Sequence, residues 1–313
     1  TLNNGQKIPV SGFGLYQTPP DQTFELTYEA LKAGYRQIDS AKLYENELES
    51  AQGIGKFLKD YPNVPRSEIF YTTKLFNDAH GYENAKKGIQ ESLDRVESHI
   101  GYIDLLLIHT PIADKERRLG TWKALQEVVE TGKVKSIGVS NYGTKHLDEL
   151  YSWDGLKIKP VVDQVELHPW LPRKDLQEYA KKYDFYLQAY APLTQGQKFE
   201  DPDVSAIAKK HGYSGPEVLL AWSYYQGFIP IAKTATVKRI EPNYTTLDRV
   251  KLDEEDLAKL NKPNSYEVLT YWDPTVFKDG EENEKKWQIW FDIIYTWNLL
   301  LFKKLYLCKF VFS

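Results

Sequence analysis

A chain of 313 residues with 42% hydrophobic and 14% aromatic content can bury an extensive core, and its length falls between one domain and two. The formal charge of -4, with both signs spread along the chain, excludes the basic stripe that neutralises a phosphate backbone, so nucleic acid is not an expected partner. The single cysteine, Cys308, cannot form an intramolecular disulfide and no secretory-signal pattern opens the chain, so a reducing, cytoplasmic setting is expected.

In chain order, short apolar runs suited to buried parallel strands fall at 11–15, 36–39, 69–73, 103–108, 134–139, 161–165, 185–189 and 228–231. They recur at roughly 30-residue intervals, the length of one βα unit. The intervening segments predict helices, with apolar residues three or four apart and a glycine or turn residue to stop each one. Phe24, Tyr28 and Leu31 form one such face before Gly34; Leu119, Trp122, Leu125 and Val129 form another before Gly132. Eight alternations without a composition break before residue 260 predict a parallel sheet wrapped by helices, either a closed barrel or an open doubly wound sheet. The nearest match to a dinucleotide phosphate loop, Gly12 to Gln17, lacks the third glycine and runs into Thr18-Pro19-Pro20 rather than a helix start, which disfavours the open sheet.

In a barrel, side chains just past the strand ends converge on one site. Those positions carry Asp39, Lys74, His109, Ser140, Asn141, Gln164, Glu166, Tyr190 and Lys233, with Tyr44 shortly after Asp39 in a loop or at the start of the next helix. Taken singly, each has a structural alternative: Asp39 as a helix cap, Lys74 as its ion-pair partner, His109 as a core histidine, Tyr44 as packing. Metal binding is not expected, since the six histidines are scattered without paired-ligand spacing.

The motifs GYRQIDSAKLYENE (34–47), TTKL (72–75), IDLLLIHTP (103–111), VKSIGVSNY (134–142), VVDQVELHP (161–169) and IAKTATVKR (231–239) together resemble the aldo-keto reductases, and fungal members in particular. The resemblance runs from about residue 2 to about residue 270. It implies a single-domain (β/α)8 TIM barrel over residues 1–280, including a C-terminal substrate loop, and an NADPH/NADP+ cofactor. The family's catalytic tetrad falls on Asp39, Tyr44, Lys74 and His109. Tyr44 would be the proton donor to the carbonyl oxygen, with the Lys74 ammonium lowering its pKa, Asp39 holding Lys74 and His109 orienting the carbonyl. By the same resemblance Ser140, Asn141 and Gln164 would bind the nicotinamide carboxamide, and Tyr190 would stack on the ring. Lys233, Thr234 and Arg239 would surround the ribose phosphate, favouring NADPH over NADH. Gly14, Leu15, Leu193, Thr236 and Asn243 complete the implied cofactor set. The alternative for the basic group is a solvated helix start.

Tyr16, Phe76, Thr110, Tyr271 and Trp272 are the candidate substrate walls. Phe76 and Thr110 stand where relatives commonly carry tryptophan, and Pro242 stands where a glutamate often contacts adenine. Tyr271 and Trp272 have exposed surface aromatics as their alternative. The expected activity is reduction of aldehydes, ketones and keto esters by a monomer or weak dimer. A sugar reductase or arabinose-type dehydrogenase, a non-catalytic redox-sensing subunit and a Schiff-base enzyme using Lys74 remain alternatives. Residues 281–313 form a charged and then aromatic tail outside the barrel pattern, read as an appended extension or as a helix lying on a membrane surface or partner.

Overall fold

Eight short strands alternate with helices and close on themselves, in the order β1 (Gly12–Gly14), α1 (Pro20–Lys32), β2 (Gln37–Asp39), α2 (Glu47–Asp60), β3 (Phe70–Leu75), α3 (Tyr82–Ile100), β4 (Ile103–Ile108), α4 (Lys115–Glu130), β5 (Val134–Ser140), α5 (Thr144–Tyr151), β6 (Val162–Glu166), α6 (Lys174–Tyr183), β7 (Tyr186–Tyr190), α7 (Pro202–His211), α8 (Gly215–Tyr225), β8 (Ile229–Ala232), α9 (Ile240–Arg249) and α10 (Glu254–Leu260). The computed structural model describes residues 1–280, 283–287 and 289, so the expectation for the tail falls largely outside the described residues. Every neighbouring strand pair is parallel, and Gly12 opposite Ile231 with Phe13 opposite Ala232 forms the seam that closes the barrel. That seam decides between the two sheet arrangements the periodicity left open.

Several boundaries move for physical reasons. The third strand runs on to Leu75, past the expected end at residue 73, because Lys74 lies inside the barrel with no exposure and is paired there. Helix α1 begins at Pro20, so Thr18-Pro19-Pro20 does lead into a helix: a proline in the first turn loses no hydrogen bond. Its buried face is Thr23, Leu26, Thr27, Ala30 and Leu31, leaving Phe24 at 39% exposure and correcting the expected Phe24–Tyr28–Leu31 face. The cause is close packing on α2: a Cβ on Gly53 would lie 2.8 Å from the Phe24 carbonyl oxygen and 3.0 Å from Thr27 Cβ. In α4, Trp122 and Leu125 are fully buried as expected, Leu119 and Val129 partly so, and Gly132 follows with φ +74°.

One end of the barrel is plugged by Leu2, which packs on Phe70, Leu105, Leu107, Val161 and Val162. Asn3 Nδ2 donates to the Pro160 and Asp184 carbonyls at 3.0 and 2.8 Å, and Asn4 Nδ2 to Ser136 Oγ at 2.9 Å. The other end is open.

Two histidines on that open side tie stability to pH. His80 lies 3.0 Å from the Thr110 carbonyl oxygen and His146 Nδ1 accepts from the Gly143 N–H at 3.0 Å, and burial pushes both imidazoles down to about 4. Unfolded histidine titrates near about 6.5, so below that pH the unfolded chain binds protons the native chain refuses. Their stabilisation is complete above about pH 6.5 and is lost as the pH falls toward about 4, at up to about 1.4 kcal/mol per unit for each histidine. Calorimetric Tm values should decline over this window, and His146→Phe should flatten the decline; an unaltered slope would exclude the linkage.

Candidate active site

Asp39 ends β2, Lys74 lies near the end of β3, and His109 follows β4, so the barrel brings them together at its open end. Tyr44 arrives from a 3-10 turn, Lys42–Tyr44, which the left-handed Glu45 (φ +54°) closes. Lys74 Nζ makes three bonds: to Asp39 Oδ1 at 2.6 Å, to the Ser40 carbonyl oxygen at 2.8 Å and to the Tyr44 phenol oxygen at 3.3 Å. All three ammonium protons are thereby used. Because the phenol oxygen accepts from Lys74, its own proton points elsewhere. Asp39 Oδ2 is held in turn by Gln164 Nε2 at 2.8 Å. The His109 ring stands edge-on to Tyr44 at 5.7 Å, and its buried Nδ1 has no hydrogen-bond partner among the described residues.

The electrostatics correct one expectation. Lys74 was expected to lower the Tyr44 pKa; instead burial first, and the Asp39 carboxylate next, push that phenol well above its ordinary value. Asp39 sits against the ammonium and offsets its charge, so desolvation dominates. Burial also pushes Lys74 down, with Asp39 opposing, and drives His109 well below the ordinary histidine range with help from Lys74. Tyr44 is therefore protonated near neutrality, and His109 is neutral.

A wall of amides and hydroxyls adjoins these groups. Ser140 Oγ donates to the Gln164 carbonyl at 2.7 Å, Asn141 Nδ2 to the His109 carbonyl at 3.0 Å, and the Tyr190 hydroxyl to Asn141 Oδ1 at 2.8 Å. Asn141 takes φ +61°, which asparagine tolerates better than most residues.

Together they line a cavity of about 400 Å³ that contains Asp39, Tyr44, His109, Ser140, Asn141, Gln164, Tyr190, Gly14, Leu193, Lys233, Tyr16, Tyr271 and Trp272. Gly14 is bare here for a steric reason, since a Cβ would come within 2.9 Å of Ile231 Cγ2. Other candidates lie elsewhere. The Leu15 side chain is fully buried in the core. Thr110 is also fully buried, its hydroxyl donating to Asn77 Oδ1 at 2.5 Å and accepting from the Ile112 N–H at 3.1 Å, so it turns the loop rather than facing the cavity. Phe76 stands edge-on behind His109 at 5.6 Å, outside the lining set. Beyond the cavity lining, Thr234 is buried and Thr236 and Arg239 are exposed on the stretch leading into α9, and Asn243 is buried within α9. Pro242 lies in the first turn of α9, where it fits without loss of a hydrogen bond.

The lining residues not singled out from sequence are Gln17, Leu43, Ala191, Pro192, Gln195, Ile231 and Thr270. Gln17, Ala191 and Gln195 have φ near +50°, a backbone state for which these residue types give no signal. Glu166, placed at a strand end from sequence but without a role, turns out to be a buried carboxylate that accepts from Leu269 N–H at 2.7 Å, Thr270 N–H at 3.2 Å and Thr270 Oγ1 at 2.6 Å. Among the described residues one group, His211, Asp253 and Asp256, gathers metal-type ligand atoms, but Lys210 and His211 already bond those carboxylates and Asp253 caps α10.

Comparison with known proteins agrees with this arrangement. Residues 11–264 match the Aldo/keto reductase family. The chain is 47% identical over 275 residues to an uncharacterized oxidoreductase of Saccharomyces cerevisiae, covering 88% of this chain and 96% of that one. It is 38% identical over 267 residues to the glyoxal reductase of Bacillus subtilis, covering 85% and 92%. The crystal structure of an aldo-keto reductase from a Medee basin deep-sea metagenome library superposes with a TM-score of 0.77 at 37% identity, covering 85% of this chain and 96% of that one. The protein belongs to the aldo/keto reductase family, a family of oxidoreductases built on the (β/α)8 barrel. No helix among the described residues is long and apolar enough to cross a membrane.

Proposed function

We propose that this cavity reduces aldehydes, ketones and keto esters with NADPH, and that Tyr44 protonates the carbonyl oxygen. The observation that carries the proposal is the phenol of Tyr44: it accepts from the buried Lys74 ammonium, stays protonated near neutrality and faces a cavity it shares with His109. NADPH, when bound, supplies the hydride for the carbonyl carbon. Tyr44 delivers the proton as negative charge grows on oxygen, and the neutral His109 imidazole donates a hydrogen bond that fixes where that oxygen lies. Lys74 steadies the phenolate left behind, and Asp39 with Gln164 keeps Lys74 in place.

The chain's own donor set suits this cofactor. Ser140, Asn141 and Gln164 set hydroxyl and amide groups along one wall, where a bound carboxamide would exchange for bonds they now make to one another and to neighbouring groups; the Tyr190 ring supplies a flat face, and bare Gly14 allows close approach of the backbone. Leu193 adds an apolar edge to the same cavity. Burial pushes Lys233 down, an environment that an anionic group would relieve. Lys233, Thr234, Thr236, Arg239 and Asn243 would hold the phosphate-bearing adenosine end. We read residues 1–280 as the catalytic unit, acting as a monomer or weak dimer in the cytoplasm, with the single cysteine supporting that compartment.

Loss of reduced-nicotinamide absorbance with NADPH and a panel of aldehydes, keto esters and aldoses tests the reading; no loss with NADPH or NADH for any carbonyl would overturn it. The phosphate assignment has its own test. Removing a charge-assisted contact costs about 1.5–3 kcal/mol, so Arg239→Ala should raise the NADPH KM by roughly 10- to 150-fold and leave the NADH KM nearly unchanged. Equal changes for both cofactors would contradict a phosphate contact.

A further inference from the structure

The segment after α10 brings Tyr271 and Trp272 to the rim of the cavity, Tyr271 64% exposed and Trp272 partly buried, and it is fastened on both sides of that pair. On the N-terminal side, Glu166 at the end of β6 accepts the Leu269 and Thr270 N–H groups and the Thr270 hydroxyl, with His168 Nε2 at 2.9 Å. On the C-terminal side, Arg173 donates to both Asp273 oxygens at 2.9 and 3.1 Å and to Thr275 Oγ1 at 3.0 Å, and it also reaches back to the Tyr266 hydroxyl, N-terminal to the pair, at 3.1 Å. Arg173 Nε also reaches the Glu166 carbonyl at 3.3 Å, so the two anchors are joined.

Burial gives these bonds their weight. Glu166 has no exposed surface and Arg173 only 5%, and charged groups withdrawn so far from water are costly unless their partners are present. Most of the partners of both groups lie on the segment between Tyr266 and Thr275. Further strain marks the anchors: Arg173 itself takes φ +51° and Tyr271 takes φ +65°, states that non-glycine residues keep only when their surroundings fix them.

We propose that Glu166 and Arg173 are positioning residues that set substrate range: they hold Tyr271 and Trp272 as a fixed wall of the cavity containing Tyr44, and so limit the size of carbonyl compound admitted. The inference rests on the reductase reading above. Neither residue touches the reacting atoms; both act through the wall.

The test compares full-length wild type with Glu166→Ala, Glu166→Gln and Asp273→Asn, using a short aldehyde and a bulky aryl ketone, with hydrogen exchange followed over residues 266–277. In Glu166→Ala and Asp273→Asn, exchange should rise about tenfold or more at 269–273, and the KM ratio between the two substrates should shift by about tenfold while kcat for the short aldehyde stays nearly constant. Glu166→Gln keeps the oxygen that accepts both N–H groups and should restore most of each effect. If Glu166→Ala does not fold, Asp273→Asn, which preserves side-chain volume, carries the same comparison. Increased exchange with an unchanged KM ratio, or an equal loss of kcat for both substrates, would overturn the proposal. Wild type inactive toward every carbonyl would instead overturn the reductase reading, and the wild-type control reports that separately.

Discussion

Tyr44→Phe is expected to cut carbonyl turnover by about 10²- to 10⁴-fold, the contribution of a positioned general acid, while NADPH binding by fluorescence titration stays nearly unchanged. Phenylalanine keeps the ring that stands against His109 and Tyr16 and removes only the hydroxyl that accepts from Lys74. The loss should appear in kcat, since the missing proton matters once charge develops on oxygen. Because burial and Asp39 hold the phenol up, the wild-type reduction rate should show no decline near neutrality assignable to loss of the Tyr44 proton. Turnover retained in Tyr44→Phe would sink the assignment.

The second large effect belongs to Lys74. Lys74→Met leaves Asp39, 2% exposed, as a buried carboxylate with Gln164 as its remaining side-chain partner among the described residues. Stranding one half of a buried pair costs about 3–5 kcal/mol, which for a chain of this size lowers Tm on the order of 10 °C. Turnover should fall together with stability. The double variant Asp39→Asn with Lys74→Met separates the two losses, because replacing both charges removes the stranded carboxylate. Its Tm should recover toward wild type while turnover does not. A double variant as unstable as Lys74→Met would show that Lys74 contributes packing rather than charge.

The sequence exposed the parts of this arrangement that follow from strand ends. Apolar runs locate where each strand finishes, so Asp39, Lys74, His109, Asn141 and Gln164 group together on sequence alone. Tyr44 follows less directly: it stands on a 3-10 turn between a strand and a helix, so position along the chain places it only as a neighbour of Asp39, and the motif resemblance supplies its role as proton donor. The resemblance alone placed Thr110 and Leu15 at the site, but the Thr110 hydroxyl closes a turn with Asn77 and the Leu15 side chain points into the core. Gln17, Ala191 and Gln195 reach the cavity through left-handed backbone, which local propensity does not encode in these residues. The Glu166 and Arg173 anchors depend on partners about a hundred positions away, beyond any local period. The direction of the Tyr44 pKa does not follow from sequence because the Lys74–Asp39 pair is legible there, whereas the burial that outweighs the ammonium is not.

The closing seam bears on how a growing chain avoids sticking to its neighbours. The first strand cannot meet its second partner until Ile231 and Ala232 have been synthesised, so one lateral edge of the nascent sheet waits through most of translation. Unpaired edges recruit strands from other chains in proportion to the length they offer. Here the edge that waits longest is three residues of Gly-Phe-Gly and its eventual partner four, while the six- and seven-residue strands β3 to β5 lie mid-sheet, flanked on both sides. The order in which strand lengths occur along the chain is thus itself a guard against intermolecular sheet formation during synthesis.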